Sequence, residues 1–275
     1  MTAAPSTGHV RLVATDLDGT LVHSDGTITA RTRAALRAVE ATGVVVVFVT
    51  GRPLRWARHV FDDVGGHGLA IVANGALVWD VAGDRVHSAR PMQVPTLLEV
   101  CRRVRAVAPG AAFAVESLSG MDVETGFMER YPLPETSRRG AAEDVFDREG
   151  LKVLARHEQL EPQEFWDLAR DAVGDLATVT WSSESSLLEI SAAGVTKATT
   201  LELLCDDLGL TAQDVMAFGD MPNDLPMLTW AGTAYAMANA HPTVLEVADH
   251  VAPHHDEDGV AAVLEQLLAD RAHEG

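Results

Sequence analysis

The chain has 275 residues, with 40 Asp and Glu against 21 Lys and Arg, for a formal net charge of −19 at pH 7. That length suits one large domain or two modest ones. The acidity argues against binding nucleic acid or anionic membranes, which both draw affinity from clustered Lys and Arg, and 47% apolar residues are too many for a disordered chain.

Val10 to Thr15 is a β-branched run followed by Asp16-Leu17-Asp18-Gly19-Thr20. Thr29 to Ala41 has helical spacing, with Thr29 as N-cap and Gly43 as stop. Val44 to Val49 is continuously apolar, as in a strand buried on both faces of a parallel sheet. Thr50-Gly51-Arg52-Pro53 opens a helix to about Asp62, and Leu69 to Val72 is a third buried strand. After Asn74-Gly75 the rhythm changes. Leu77 to Asp80 and Arg85 to Ser88 read as a hairpin, then Pro95 to Val107 as a helix and Ala111 to Glu116 as a strand. Ser117 to Gly150 reads as loop-rich. Leu151 to Ala155, Ala177 to Trp181 and Leu187 to Ser191 read as strands, with a helix from Pro162 to Val173. From Val195 helix and strand alternate again: a helix to Leu208, a strand at Val215 to Phe218, a helix from Pro222, a strand near Ala234 to Met237, a helix through Val244 to Val247 and a last helix from Gly259. The expected fold is therefore a Rossmann-like α/β core, residues 1–80 and 195–275, interrupted by an α+β cap at 81–194.

Ligands of open parallel sheets bind at the carboxyl ends of the strands. Asp16 and Asp18 lie at such an end, and residues i and i+2 point the same way. Asp220 follows another buried strand, with Asn223 and Asp224 opening the next helix. Carboxylates crowded together repel unless a cation or proton sits among them. With no His or Cys present, they form a hard oxygen site of the kind that selects Mg²⁺. Thr50-Gly51-Arg52 offers a hydroxyl, backbone N–H groups and a helix start, which together suit a phosphate. Lys197 is one of only two lysines among 19 arginines, a compact charge able to hold a phosphoryl oxygen.

Asp16-Leu17-Asp18-Gly19-Thr20, Thr50-Gly51-Arg52, Lys197 and Gly219-Asp220-Met221-Pro222-Asn223-Asp224 resemble, in order, the four motifs of the haloacid dehalogenase superfamily of phosphohydrolases. The insertion before Lys197, and the tail from Ala236-Met237-Ala238-Asn239-Ala240 to Asp258-Gly259-Val260, resemble its Cof-type branch. The resemblance implies that Asp16 is the nucleophile, forming an aspartyl-phosphate, and that Asp18 is the general acid and base. It implies phosphate binding by Thr50, Gly51, Lys197 and Asn223. Mg²⁺ would be held by Asp16, the Asp18 carbonyl and Asp220, supported by Asp224. The implied ligand is a small phosphorylated metabolite chosen by the cap. A phosphomutase and a non-catalytic phospho-ligand binder are the competing functions. Relatives often have Gly after the motif Lys; here it is Ala198, still a small residue.

Other positions have plainer readings. Asp220 and Asp224 could merely cap a helix. Arg52 and Asn74 divide between substrate contact and local pairing or turn chemistry. Lys152 reads as a solvated charge, Trp56, Trp166 and Trp230 as packing, and His250, His254, His255 and Asp256 to Asp258 as a solvated loop. Specificity is expected in cap loops such as Ser117 to Pro134. Cys101 and Cys205 are isolated, which fits core thiols in the cytoplasm. Met1 to His9 has no signal-like segment.

Overall fold

Strands that lie between helix layers must be apolar on both faces, and the apolar runs of this chain build such a sheet. The computed structural model describes residues 10–180 and 186–274. Met1 to His9 and Trp181 lie outside them. In chain order the first elements are β1 (Leu12–Thr15), α1 (Ala30–Ala41), β2 (Val45–Val49), α2 (Leu54–Val64), β3 (Leu69–Val72), β4 (Leu77–Asp80) and β5 (Arg85–Ala89). Next are α3 (Val94–Val107), β6 (Ala112–Ser117), β7 (Gly120–Glu124), β8 (Arg139–Gly140), α4 (Ala142–Val145), β9 (Lys152–Arg156), α5 (Pro162–Val173), β10 (Ala177–Thr180) and β11 (Leu187–Ala192). The chain closes with α6 (Lys197–Asp207), β12 (Val215–Gly219), α7 (Leu225–Trp230), β13 (Thr233–Met237), α8 (Pro242–Leu245), β14 (His250–Ala252) and α9 (Gly259–Glu274).

The chain divides into two compact units. The first takes residues up to Arg52, Trp56–His87 and Lys197 onward; the second takes Pro53–Arg55 and Ser88–Thr196. An eight-stranded sheet, ordered β14-β13-β12-β1-β2-β3-β4-β5, organises the first unit. Its strands from β14 to β3 are parallel, and β4 returns antiparallel. Every residue of β1 is buried, because β1 sits between β2 and β12. Thr29 caps α1 as expected, its side chain accepting from Thr32 N, and Gly43 leaves the helix at φ +87°. No helix among the described residues is long and apolar enough to cross a membrane.

The second unit has a six-stranded sheet ordered β10-β11-β9-β6-β7-β8. Leu97, Val100, Cys101 and Val104 recur at helical spacing on α3 and pack, with Phe165, Ala169 and Val173 of α5, on one face of that sheet. Phe113, Val115, Val153, Ala155, Leu188 and Ile190 supply the sheet's side of this core. Cys101 and Cys205 are buried free thiols.

Two expectations need correction and a third needs detail. The stretch from Ser117 to Gly150 is loop-rich as expected, with the short elements β7, β8 and α4 set within it. These elements are too short to show a period in sequence, and Gly120 (φ +133°) makes the turn between β6 and β7. Lys152 is not a solvated charge but 3% exposed, its ammonium donating to Glu189 at 3.2 Å. Trp56 is 38% exposed rather than packed, since the buried face of α2 is Ala57, Val60, Phe61 and Val64.

Candidate active site

The site forms where strands β1, β2 and β12 and helix α6 bring their ends together within the first unit. After Thr15 the chain turns tightly, with the N–H groups of Thr20, Leu21 and Val22 all donating to the Leu17 carbonyl. Gly19 sits at φ +74° in this turn. A Cβ there would lie 2.3 Å from Asp220 Oδ2, so only glycine lets the two loops approach so closely. Thr20 Oγ1 crosses the gap and donates to Asp220 Oδ1 at 3.1 Å.

Asp16 and Asp220 are buried and Asp224 is 0% exposed, and one oxygen from each lies within 4.8 Å of the others. Lys197, also buried at the start of α6, is the cation among them. Its Nζ donates to Asp16 Oδ1 at 2.5 Å and to Asp224 Oδ1 at 2.7 Å. Asp224 Oδ2 accepts from the backbone N–H groups of Asp220 and Met221, both at 3.1 Å, which fixes the loop after β12. Asp224 therefore caps its own turn and also holds the lysine.

Burial is the main influence on these groups. It raises Asp16 well above the ordinary carboxylate range, against the pull of Lys197. Burial, then the neighbouring Asp224, pushes Asp220 up to about 7. For Lys197 burial works against the ammonium, but Asp16 and Asp224 outweigh it and hold its pKa above the usual lysine value. Three carboxylates against one ammonium leave excess negative charge out of water, where a cation or protons must balance it. All the donors are oxygens, so the residues present fit a hard divalent cation.

Asp18 stands apart from this buried group. Its carboxylate is 57% exposed and is held by Arg52, which donates Nε to Oδ2 at 2.8 Å and an NH2 to Oδ1. Arg52 thus pairs with an acidic neighbour in this structure. Thr50 is buried at the end of β2, and its Oγ1 accepts from Arg52 N at 3.0 Å, making a tight turn around Gly51. Asn74 N donates to the Thr50 carbonyl and Ala73 N to the Arg52 carbonyl. Ala73, Asn74 and Gly75 all have positive φ (52°, 56° and 105°). Such backbone is costly for residues with a Cβ and persists where the surroundings impose it. Asn223 Oδ1 is buried with no hydrogen-bond partner among the described residues.

Sequence reasoning gave no role to Thr20 or Asn239. Asn239 Nδ2 donates to the Gly19 carbonyl at 2.8 Å, and its Oδ1 accepts from His255 N at 3.1 Å. One amide side chain thereby ties the turn after β1 to the loop before α9. Nothing in the local sequence pattern signals this, because the partners lie 220 and 16 residues away. In that loop His254, His255 and Asp256 come close enough to offer ligand atoms. Their bonds are structural: Asp256 accepts from Ser24 N and Oγ, and His255 Nδ1 lies 2.8 Å from the Val22 carbonyl.

A family model described as haloacid dehalogenase-like hydrolase matches residues 13–264. The chain belongs to this family. It is 30% identical over 257 residues to the 5-amino-6-(5-phospho-D-ribitylamino)uracil phosphatase YcsE of Bacillus subtilis, covering 93% of this chain and 94% of that one. Phosphatase YwpJ of the same organism is 29% identical, over 94% of this chain and 100% of the relative. Among solved structures, SMU.1108c from Streptococcus mutans superposes with a TM-score of 0.83 at 24% identity, covering 94% and 99% of the two chains. BT1666 from Bacteroides thetaiotaomicron superposes with a TM-score of 0.81 at 23% identity, covering 96% and 97%. The haloacid dehalogenase-like fold, a Rossmann-like core with an inserted α+β unit, and a hydrolase activity in general terms follow from this membership.

Proposed function

We propose that this hydrolase is a Mg²⁺-dependent phosphatase of small phosphorylated metabolites, of the Cof-type branch, working through an aspartyl-phosphate on Asp16. The observation that carries the reading is the buried group of Asp16, Asp220 and Asp224 around Lys197, at the carboxyl ends of β1 and β12. Only Oδ1 of Asp16 has a hydrogen-bond partner among the described residues, so Oδ2 is the oxygen left for attack on phosphorus. Lys197 steadies the attacking carboxylate and neutralises phosphoryl oxygens, with Thr50, the Gly51 N–H and Asn223 as their further partners. Asn223 lies one residue before Asp224 in the same turn, and its buried amide would serve a phosphoryl oxygen through its NH₂ group.

As the P–O ester bond breaks, Asp18 gives a proton to the leaving oxygen. It then takes one from the water that attacks phosphorus and frees Asp16. Asp18 must leave the Arg52 fork to do this, which makes Arg52 its resting partner. Mg²⁺, held by Asp16, the Asp18 carbonyl and Asp220 with Asp224 behind them, would supply charge neutralisation on the phosphoryl group. The first unit is the catalytic core and the second selects the substrate. The two buried free thiols fit a cytoplasmic protein.

Phosphate release from a panel of phosphorylated metabolites, with Mg²⁺ and with excess chelator, tests the proposal. Asp16→Asn should abolish turnover while phosphate still binds. Activity that persists in chelator would remove the metal from the reaction. Accumulation of an isomeric ester without free phosphate would make the enzyme a phosphomutase, and ligand binding without any wild-type turnover would make it a binder.

A further inference from the structure

The loop before α9 gathers more ring nitrogen than its structural bonds consume. His254, His255 and Asp256 each bring a ligand atom within 4.8 Å of the other two. All three belong to the first unit, and they form a group separate from Asp16, Asp220 and Asp224. Asp256 Oδ2 lies 3.7 Å from His255 Nε2 and 3.8 Å from His254 Nδ1. His23 Nδ1 lies 4.0 Å from Asp256 Oδ1. These separations exceed hydrogen-bond length, so the rings face the carboxylate without bonding to it. Two ligand atoms, each roughly 2.1 Å from a tetrahedral ion, stand about 3.4 Å apart, so a small closure suffices to seat one.

The surrounding hydrogen bonds decide which ring nitrogens keep lone pairs. His255 is largely buried, and its Nδ1 lies 2.8 Å from the Val22 carbonyl, which can only accept. In the neutral ring Nδ1 therefore carries the proton and Nε2 the lone pair. The hydroxyl 3.3 Å from that Nε2, Ser24 Oγ, gives its one proton to Asp256 Oδ2 at 2.8 Å. His23 repeats the pattern. Its Nε2 lies 3.0 Å from Asp258 Oδ1, an oxygen that also accepts from the Thr29 and Thr32 hydroxyls, which leaves the lone pair on Nδ1. One ring nitrogen anchored on a carbonyl or carboxylate and the other aimed outward is the usual support of a metal-binding histidine. His254 Nδ1 accepts from Asp256 N at 3.1 Å, and a cation would take the place of that exposed donor. Ser24 N holds Asp256 Oδ1 at 2.7 Å, and each carboxylate oxygen keeps a further lone pair.

We propose that His254, His255 and Asp256 bind one Zn²⁺ ion, with His23 at its edge, and that the ion clips the segment after β1 to the loop before α9. Two imidazoles and a carboxylate suit a borderline cation such as Zn²⁺, whereas Mg²⁺ prefers oxygen alone. The role is structural. Asn239 already joins His255 N to the Gly19 carbonyl, so the clip braces the same pair of loops from the outside. The plain alternative is that protonated histidines only balance Asp256, and it gives no affinity for a metal.

Calorimetry of the metal-free full chain with Zn²⁺, in excess Mg²⁺ so that a hard ion occupies the carboxylate pocket, tests the site without reference to hydrolysis. One equivalent should bind. His255→Gln and Asp256→Asn should each weaken Zn²⁺ binding at least about 100-fold, and Ser24→Ala, which loosens Asp256 alone, about 10-fold. Zn²⁺ should also raise the urea midpoint of the wild type and leave that of His255→Gln where it is. Should a variant fail to fold, the wild type decides by NMR: Zn²⁺ should move the ring signals of His254 and His255 and spare those of the exposed His59 and His87. No binding by the wild type, variants that bind as tightly as the wild type, ring signals that stay in place, or Zn²⁺ displaced by Mg²⁺ would overturn the site.

Discussion

Removing divalent cations should make this protein's stability fall as pH rises. Asp220 has a pKa of about 7 in the folded chain, raised first by burial and then by Asp224, while an exposed aspartate titrates near 3.9. Between those values the folded state keeps a proton that the unfolded state releases. Stability without metal must therefore fall as pH rises through that window, by about 1.4 kcal/mol per unit at full effect. Across the window Asp220 alone accounts for about 4 kcal/mol, a large share of a typical folding free energy. Asp16 is shifted in the same direction and steepens the fall. Carboxylates shifted down by arginine partners, such as Glu99 at about 2, act with the opposite sign but only in more acid solution. A bound divalent cation replaces the proton and favours the ionised folded form, so the fall should vanish. Urea unfolding between about pH 4.5 and 7.5, in chelator and in Mg²⁺, measures both slopes. Asp220→Asn in chelator should lessen the slope, leaving the part that Asp16 contributes. Equal slopes with and without Mg²⁺, or an undiminished slope in that variant, would refute the account of how this cluster is balanced.

Gly19→Ala should cost metal affinity and activity together, because its Cβ would sit 2.3 Å from Asp220 Oδ2 at φ +74°; metal titration by calorimetry checks this. Lys197→Met leaves three buried carboxylates without their ammonium and should destabilise the chain by about 3–5 kcal/mol at neutral pH in chelator, with partial recovery in acid, as followed by chemical unfolding. Lys197→Arg keeps the charge but cannot fit a planar fork between Asp16 and Asp224; hydrolysis of a generic ester should fall at least about 100-fold. Arg52→Ala frees Asp18 from its bidentate partner. It should leave the buried cluster and Mg²⁺ binding intact while shifting the pH–rate profile, a combination that mere structural damage would not produce.

The first unit was legible because buried parallel strands are written as unbroken apolar runs, and their polar continuations mark the loops at the sheet's carboxyl edge. Val44 to Val49 followed by Thr50-Gly51-Arg52 is the clearest instance. The Asp16, Lys197, Asp220 and Asp224 gathering could be anticipated from where each lies on its element. Contacts made only by tertiary approach could not. The Asn239 link to Gly19, the Thr20 bond to Asp220 and the Arg52 fork on Asp18 join loops whose spacing in sequence carries no period. Lys152 was misread for a related reason: a lysine is normally wet, and its burial depends on Glu189, 37 residues further along the chain. The short strands β7 and β8 were lost among turn residues.

The position of β1 has a consequence for biosynthesis. β1 lies between β2 and β12, whose pairing residues begin at Val45 and Val215. On the ribosome, β2 emerges soon after β1, but the other neighbour appears only after the whole of Ser88–Thr196 has been made. That middle segment has its own core and can fold as a contiguous piece, as nascent domains generally do. The flanking thirds must instead wait for each other, with one apolar edge of β1 unpaired meanwhile. The acidic cluster also stays open through this interval, because Asp16 meets Asp220 only at the end. Synthesis thus withholds the gathered carboxylates until the whole of the middle segment has been made.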